Sequence, residues 1–273
     1  MRGDKTPRTR PRCFGTLRHM PDPYEDEELA ALYDTINGWD ASDDFYLRLV
    51  LSANSVLDVG CGTGTLLKAA RDNGHTGRLC GLDPADGMLA QARDRPDVEW
   101  VRGTLGTVPF AGEFDLVVMT GHAFQILLTD DEARALLDGV RQALTPTGRF
   151  AFETRNPAVR GWERWNPADA SEITDAAGRT VVVTHEVESV VDGVVRFSET
   201  YSGPWEQPRV TWASLRFLPA PELDELLGDR GFVVTERYGW WDRTPFTENS
   251  REVITITHPL VPSLPAVPPA DAR

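Results

Sequence analysis

Between Ser55 and Glu153, short apolar runs alternate with amphipathic stretches. The runs fall at 55–59, 78–82, 98–102, 114–119 and 148–153. Each is bounded by turn residues, which predicts strands. The segments near 64–73, 85–94 and 130–144 carry apolar residues at helical spacing. The last of these opens with Thr129-Asp130-Asp131-Glu132, a capping-box sequence that also places negative charge at a helix N-terminus. Strands separated by helices imply right-handed crossovers and a parallel sheet.

The pattern differs on either side. Leu29, Leu32, Tyr33 and Ile36 predict one helix, and Phe45, Leu47, Val50 and Leu51 predict a second, together forming an N-terminal cap. After Glu153, Val181–Glu188 and Val194–Thr200 read as antiparallel strands joined around Asp192-Gly193, and Val210–Phe217 as a third. Residues 155–215 are therefore expected to form an insertion after the fifth strand. A helix starting near Pro221 and stopping by Gly231, then strands at 232–239 and 252–257, complete the pattern. The expected fold is α/β: a Rossmann-like, seven-stranded, mostly parallel sheet with helices on both faces, an antiparallel β insertion and a helical cap.

Composition narrows the setting. The chain of 273 residues carries a net charge of -14, which argues against binding nucleic acid through a general phosphate-neutralising surface. Cys13, Cys61 and Cys80 are too few and too scattered for a disulfide framework or a zinc site, so no metal is expected and a reducing, cytoplasmic setting is the default. There is no run of about 18 apolar residues that would suggest a membrane span. Residues 1–20 are basic and proline-containing and read as a disordered tail, or as sequence upstream of a start at Met20. Residues 259–273 read as a second loose tail, leaving 21–258 as the domain. The acidic stretch 21–44, which lacks Lys and Arg, reads as a solvated helix face.

The chemistry concentrates at the end of the first strand. In an open α/β sheet, ligands bind at the carboxyl ends of the strands, where the connections diverge. There the chain reads Asp58-Val59-Gly60-Cys61-Gly62-Thr63-Gly64. Glycines permit positive φ and close backbone approach, and the next helix N-terminus offers unpaired N–H groups. The spacing Gly-x-Gly-x-Gly is one residue tighter than the dinucleotide fingerprint, which counts against a dehydrogenase. Asp58 can face an ammonium group, and Asp83, ending the second strand, can accept hydrogen bonds from two ribose hydroxyls.

Val56-Leu57-Asp58-Val59-Gly60-Cys61-Gly62-Thr63-Gly64 with Gly81-Leu82-Asp83-Pro84 resembles the class I S-adenosylmethionine-dependent methyltransferases over roughly residues 24–258. The resemblance implies S-adenosylmethionine as cofactor. Gly60 and Gly62 would line its methionine portion and Asp83 would hold the ribose, with Cys61, Gly64 and Pro84 also among the cofactor-binding residues. Met88 matches an apolar position packed on adenine, although a helix residue filling the core reads equally well. Where many members have Gly-Asp-Ala, this chain has Gly103-Thr104-Leu105, leaving backbone or hydroxyl contacts to adenine. Thr120 at the end of the fourth strand belongs to the same site.

Acceptor chemistry is less defined. Met119-Thr120-Gly121-His122-Ala123-Phe124-Gln125 lacks the Asn/Asp-Pro-Pro-Tyr/Phe signature of enzymes acting on base amines, and it lacks the acid of magnesium-dependent catechol-type members. It points to a small-molecule acceptor methylated on oxygen or nitrogen. His122 can act as a base or only orient the acceptor. Tyr24, Tyr33, Trp39, Arg155, Trp162, Trp165, Trp241 and Arg243 are candidates for a lid over a ringed, anionic substrate; packing or a dimer surface are the other readings for the tryptophans. The expected assembly is a monomer or homodimer. A macromolecule-directed enzyme and a catalytically silent cofactor-binding protein are the alternatives.

Overall fold

The computed structural model describes Tyr24 and residues 26–260. Both tails expected from the sequence, apart from Pro259 and Leu260, lie outside the described residues, as does Cys13.

The cap is broken where one helix was expected. Helix α1 (Glu27–Ala30) and α2 (Tyr33–Ile36) are separated by a turn at 31–32. Asp26 caps α1 by accepting from the backbone of Glu28 and Leu29. Helix α3 (Ala41–Leu51) begins in a capping box formed by Asp40 and Asp43 and buries Phe45, Tyr46, Leu49 and Val50.

Alternation then follows as expected through β1 (Ser55–Val59), α4 (Thr65–Asp72), β2 (Arg78–Asp83), α5 (Asp86–Ala92), β3 (Glu99–Arg102), β4 (Phe114–Met119), α6 (Asp130–Ala143) and β5 (Leu144–Arg155). The Thr129–Glu132 capping box of α6 forms reciprocally. The insertion is a separate four-stranded antiparallel sheet of β6 (Ser171–Thr174), β7 (Thr180–Val191), β8 (Val194–Ser202) and β9 (Arg209–Arg216). Strand β6 is too short and polar to register as a strand in the sequence. Asp192 and Gly193 both have positive φ, as a two-residue hairpin turn requires. Helix α7 (Ala220–Asp229), β10 (Phe232–Tyr238) and β11 (Glu252–Pro259) complete the chain.

The main sheet has the order β10-β11-β5-β4-β1-β2-β3, with β11 antiparallel to both neighbours. The chain runs outward from β1 to β3 and then returns to β4 on the other side, so the switch point lies between β1 and β4. Alternating side chains divide between two cores. Leu57, Val59, Val117, Phe150 and Phe152 pack towards α6 and α7. Val56, Val118, Ala151, Ile254 and Ile256 pack with Phe45, Tyr46 and Leu67 of α3 and α4. By the same period of two, Asp58, Glu153 and Glu252 share the α3 face, where the strands reach their ligand-facing ends.

The cap and the insertion meet. Leu29 and Leu32 pack on Val181, Val183 and Tyr201. Arg209 pairs with Asp26 at 2.6 Å and also with Glu28. The acidic stretch is thus more than a solvated face, because its carboxylates cap helices and dock the cap.

Candidate active site

Gly60, Gly62 and Gly64 all hold left-handed backbone, with φ of +74°, +55° and +78°. The amides of Gly60 and Cys61 both donate to the Leu82 carbonyl, at 2.7 and 3.2 Å. Asp83 ties the two loops together, its Oδ2 accepting from the Gly62 amide at 2.9 Å and its Oδ1 from the Ala85 amide at 2.8 Å. A Cβ placed on Gly62 would meet nothing within 4 Å, so this stretch of backbone borders open space. At Gly64 a Cβ would run into the ring of Trp100, which lies in a slot between Gly64 and Gly81. Gly64 therefore has a packing duty that the motif alone does not reveal.

Asp58 is almost fully buried, at 1% exposure, and its Oδ1 has no hydrogen-bond partner among the described residues. Burial, with the nearby charges of Asp83 and Glu153, raises its carboxyl from 3.8 to about 8. A buried acceptor left in this state calls for a cationic donor.

The turn leaving β4 is tightly held. Gly121 and His122 are both left-handed, with φ of +66° and +61°. For a histidine this conformation costs on the order of 1 kcal/mol. The His122 amide donates to Glu153 Oε1 at 2.7 Å, and the Tyr46 hydroxyl donates to Glu153 Oε2. Burial raises the Glu153 carboxyl, while His122 and the Tyr46 bond oppose the rise. The His122 ring turns towards β11, with Nε2 2.8 Å from Glu252 Oε2.

The cap closes over both turns. Asp34 accepts from the hydroxyls of Thr63 at 2.5 Å and Thr65 at 3.2 Å, pinning α2 to the glycine turn. The Tyr33 hydroxyl lies 3.6 Å from where a Gly121 Cβ would stand. Burial, with the negative charges of Asp34, Asp83 and Glu153, pushes the Tyr33 phenol up to about 12. Tyr24 meets Tyr33 edge-on at 6.2 Å between ring centres. Met88 is buried with Ala30, Ala85 and partly buried Tyr33, so the cap packs on it directly.

The remaining expected residues separate into several surroundings. Pro84 is exposed, and its carbonyl accepts from Arg102 at 3.3 Å. Thr104 sits in an exposed turn closed by Thr107, while Leu105 leans on Gly139 of α6. Thr120 is half-buried, its carbonyl accepting from the Ala123 amide at 3.2 Å. Cys61 is buried with Leu89 and Ala92, and burial pushes its thiol well up. Arg155 lies over the Trp165 ring at 5.4 Å and donates to Gln125 Oε1 at 3.1 Å. Trp162 packs edge-on against Phe217 within the insertion, and Trp241 is buried against Phe45 and Tyr46. Trp39 is exposed and donates to Asp44. Arg243 lies over Phe45 and Tyr238, at 5.9 and 5.7 Å. The structure thus brings Tyr24, Tyr33, Asp83 and His122 to one mouth, with Arg155 and Trp165 beside it. Trp39, Trp162, Trp241 and Arg243 are engaged in packing or surface contacts.

Sequence reasoning missed Glu153, Glu252, Tyr46, Asp34, Gln125 and Asn156. Glu153 carried a usable signal, a lone acid closing the apolar run Phe150-Ala151-Phe152. Glu252 carried none, because its relation to His122 spans 130 residues.

A family model described as a methyltransferase domain matches residues 56–148. The cypemycin N-terminal methyltransferase of a Streptomyces species is 30% identical over 218 residues, covering 76% of this chain and 83% of that protein. The 2-phytyl-1,4-naphtoquinone methyltransferase of Thermosynechococcus vestitus is 32% identical over 157 residues, covering 51% and 68%. Among solved structures, a sugar N-methyltransferase from Streptoalloteichus superposes with a TM-score of 0.70 at 17% identity, covering 91% of this chain and 99% of that one. At that identity the likeness bears on the fold alone.

Proposed function

Because the chain belongs to the class I S-adenosylmethionine-dependent methyltransferases, we propose that it methylates an oxygen or nitrogen of a small molecule held between His122 and the insertion. The cofactor is S-adenosylmethionine, which supplies a methyl group activated by a sulfonium.

The residues present suit that cofactor. The orphaned Asp58 Oδ1 matches the ammonium of a methionine portion. The open backbone at Gly62 leaves room for its chain. Asp83 fixes two loops and, as a carboxylate offers about four acceptor sites, can also receive ribose hydroxyls. Met88 and Tyr33, under the docked cap, give the apolar wall.

The His122–Glu252 pair is the observation that carries the acceptor side. With Glu252 ionised, the ring proton resides on Nε2, leaving the Nδ1 lone pair as the acceptor for a proton. As the methyl bond forms, Nδ1 takes the proton that the acceptor oxygen or nitrogen loses. Alignment in a site screened from water by the cap supplies most of the remaining acceleration. Two relatives' names describe methylation at an N-terminus and on an aminosugar nitrogen, and an amine is a nucleophile of this kind.

The test is a metabolite-pool screen for S-adenosylhomocysteine release, with product mass locating the methyl group. Wild-type chain should bind S-adenosylhomocysteine by calorimetry, and Asp83→Ala should abolish binding. Unchanged binding by that variant would remove Asp83 from the site.

A further inference from the structure

Beside the His122–Glu252 pair lies an open cavity of about 150 Å³, walled by Arg155, Arg164, Arg251, Trp165, Trp240 and Glu252. With a net charge of -14, this chain has carboxylates to spare, and most arginines among the described residues reach one. None of these three does so within ion-pair distance. Arg164 and Arg251 are exposed, and neither side chain has a hydrogen-bond partner among the described residues. Arg155 is the inner member. Its guanidinium is fixed by Gln125 and laid on Trp165, and burial pulls its pKa down against the nearby charges of Glu252 and Glu153.

The cavity is built, not a chance gap between loops. Asn156 donates to the carbonyls of Glu248 and Ser250, at 2.9 and 2.8 Å, and its own amide donates to the Arg251 carbonyl at 2.9 Å. That clamp holds Arg251 and Glu252 against the end of β5. Gln125 in turn donates to the Arg216 carbonyl at 3.0 Å, tying Arg155 to the insertion. The one carboxylate in the wall, Glu252, is already engaged by His122.

Guanidinium forks match oxyanions in geometry, and the exposed ring of Trp240 offers a face for a flat group. An open cavity of this size admits a small anionic group and the atoms bonded to it, and not a folded partner. We infer that this cavity is the anion subsite of the acceptor, taking a phosphate or carboxylate of a ring-bearing substrate whose methylated atom extends past Glu252 to His122. The inference rests on the reading of His122 as facing the acceptor.

The experiment titrates the full-length chain with phenyl phosphate, benzoate and neutral phenol, following tryptophan fluorescence. Saturable quenching by phenyl phosphate or benzoate, and not by phenol, is expected, and whichever anion binds tighter identifies the source of the charge. Arg164→Ala/Arg251→Ala, which removes exposed side chains only, should weaken the anion at least about ten-fold while leaving S-adenosylhomocysteine affinity unchanged. No saturable anion binding, equal binding of phenol, or unaltered binding by the double variant would overturn the subsite. The S-adenosylhomocysteine titration in the same samples separates the two readings. Retained cofactor binding with no anion binding sinks the subsite alone, whereas loss of cofactor binding in the wild-type chain sinks the enzyme assignment.

Discussion

His122 Nε2 and Glu252 Oε2 lie 2.8 Å apart, joining the turn after β4 to the first residue of β11. The contact exists because β11 runs antiparallel to its neighbours, so its beginning lies beside the ends of the parallel strands. Glu252 stands opposite Arg155, two residues from the Ile254–Glu153 pair. His122 is therefore held twice, by its amide on Glu153 and by its ring on Glu252.

Glu252→Gln tests the ring contact. The carboxylate orients the ring and fixes its tautomer, so replacing it with an amide should reduce kcat about 10- to 100-fold. S-adenosylhomocysteine affinity should not change. Steady-state kinetics make the check, and an unchanged kcat would exclude the Glu252 contact from positioning His122.

Asp58→Asn should separate stability from cofactor binding. The folded-state carboxyl is raised from 3.8 to about 8, so the cofactor-free protein retains a proton that the unfolded chain releases. The stability associated with that proton is fully present below about pH 4 and is lost as pH rises through about 8. An ammonium at Oδ1 favours the carboxylate, so affinity for S-adenosylhomocysteine should increase between about pH 6 and about pH 9, with proton release on binding. In Asp58→Asn the pH dependence should flatten, affinity should fall at least about ten-fold, and the Tm without cofactor should rise at alkaline pH. Calorimetry in buffers of different ionisation heat, together with thermal melts, measures all three.

Gly64→Ala should destabilise the fold by about 3 kcal/mol, combining left-handed strain with overpacking against Trp100. In Gly64→Ala/Trp100→Leu the collision is removed and the strain remains, so part of the loss should return. Urea unfolding of the single and double variants gives the difference. If Gly64→Ala is as stable as the wild type, the proposed slot for Trp100 is wrong.

The strand–helix rhythm was legible because each central strand is buried on both faces and reads as an apolar run, as in Val56-Leu57 and Leu116-Val117-Val118. The α6 cap was equally plain, since a capping box is local chemistry. The broken cap was not: Leu29 and Ile36 share one helical spacing and pack on the same cluster against the insertion, yet the chain turns at 31–32 and Asp34 is held by Thr63 and Thr65. Nor did local pattern distinguish Trp165, beside the arginines, from Trp241, buried behind Tyr46.

By itself the sequence determined the order of elements in the main sheet, the glycine turn and the two acids at the ends of β1 and β2, because each rests on spacing over a few residues. Only the tertiary structure decided what surrounds them. It left Asp58 Oδ1 without a hydrogen-bond partner among the described residues, set Glu153 on the His122 amide and Glu252 on its ring, and gathered Arg155, Arg164 and Arg251 around one cavity. These are meetings of residues from different strand ends, set by sheet order and strand direction, and no local spacing encodes them.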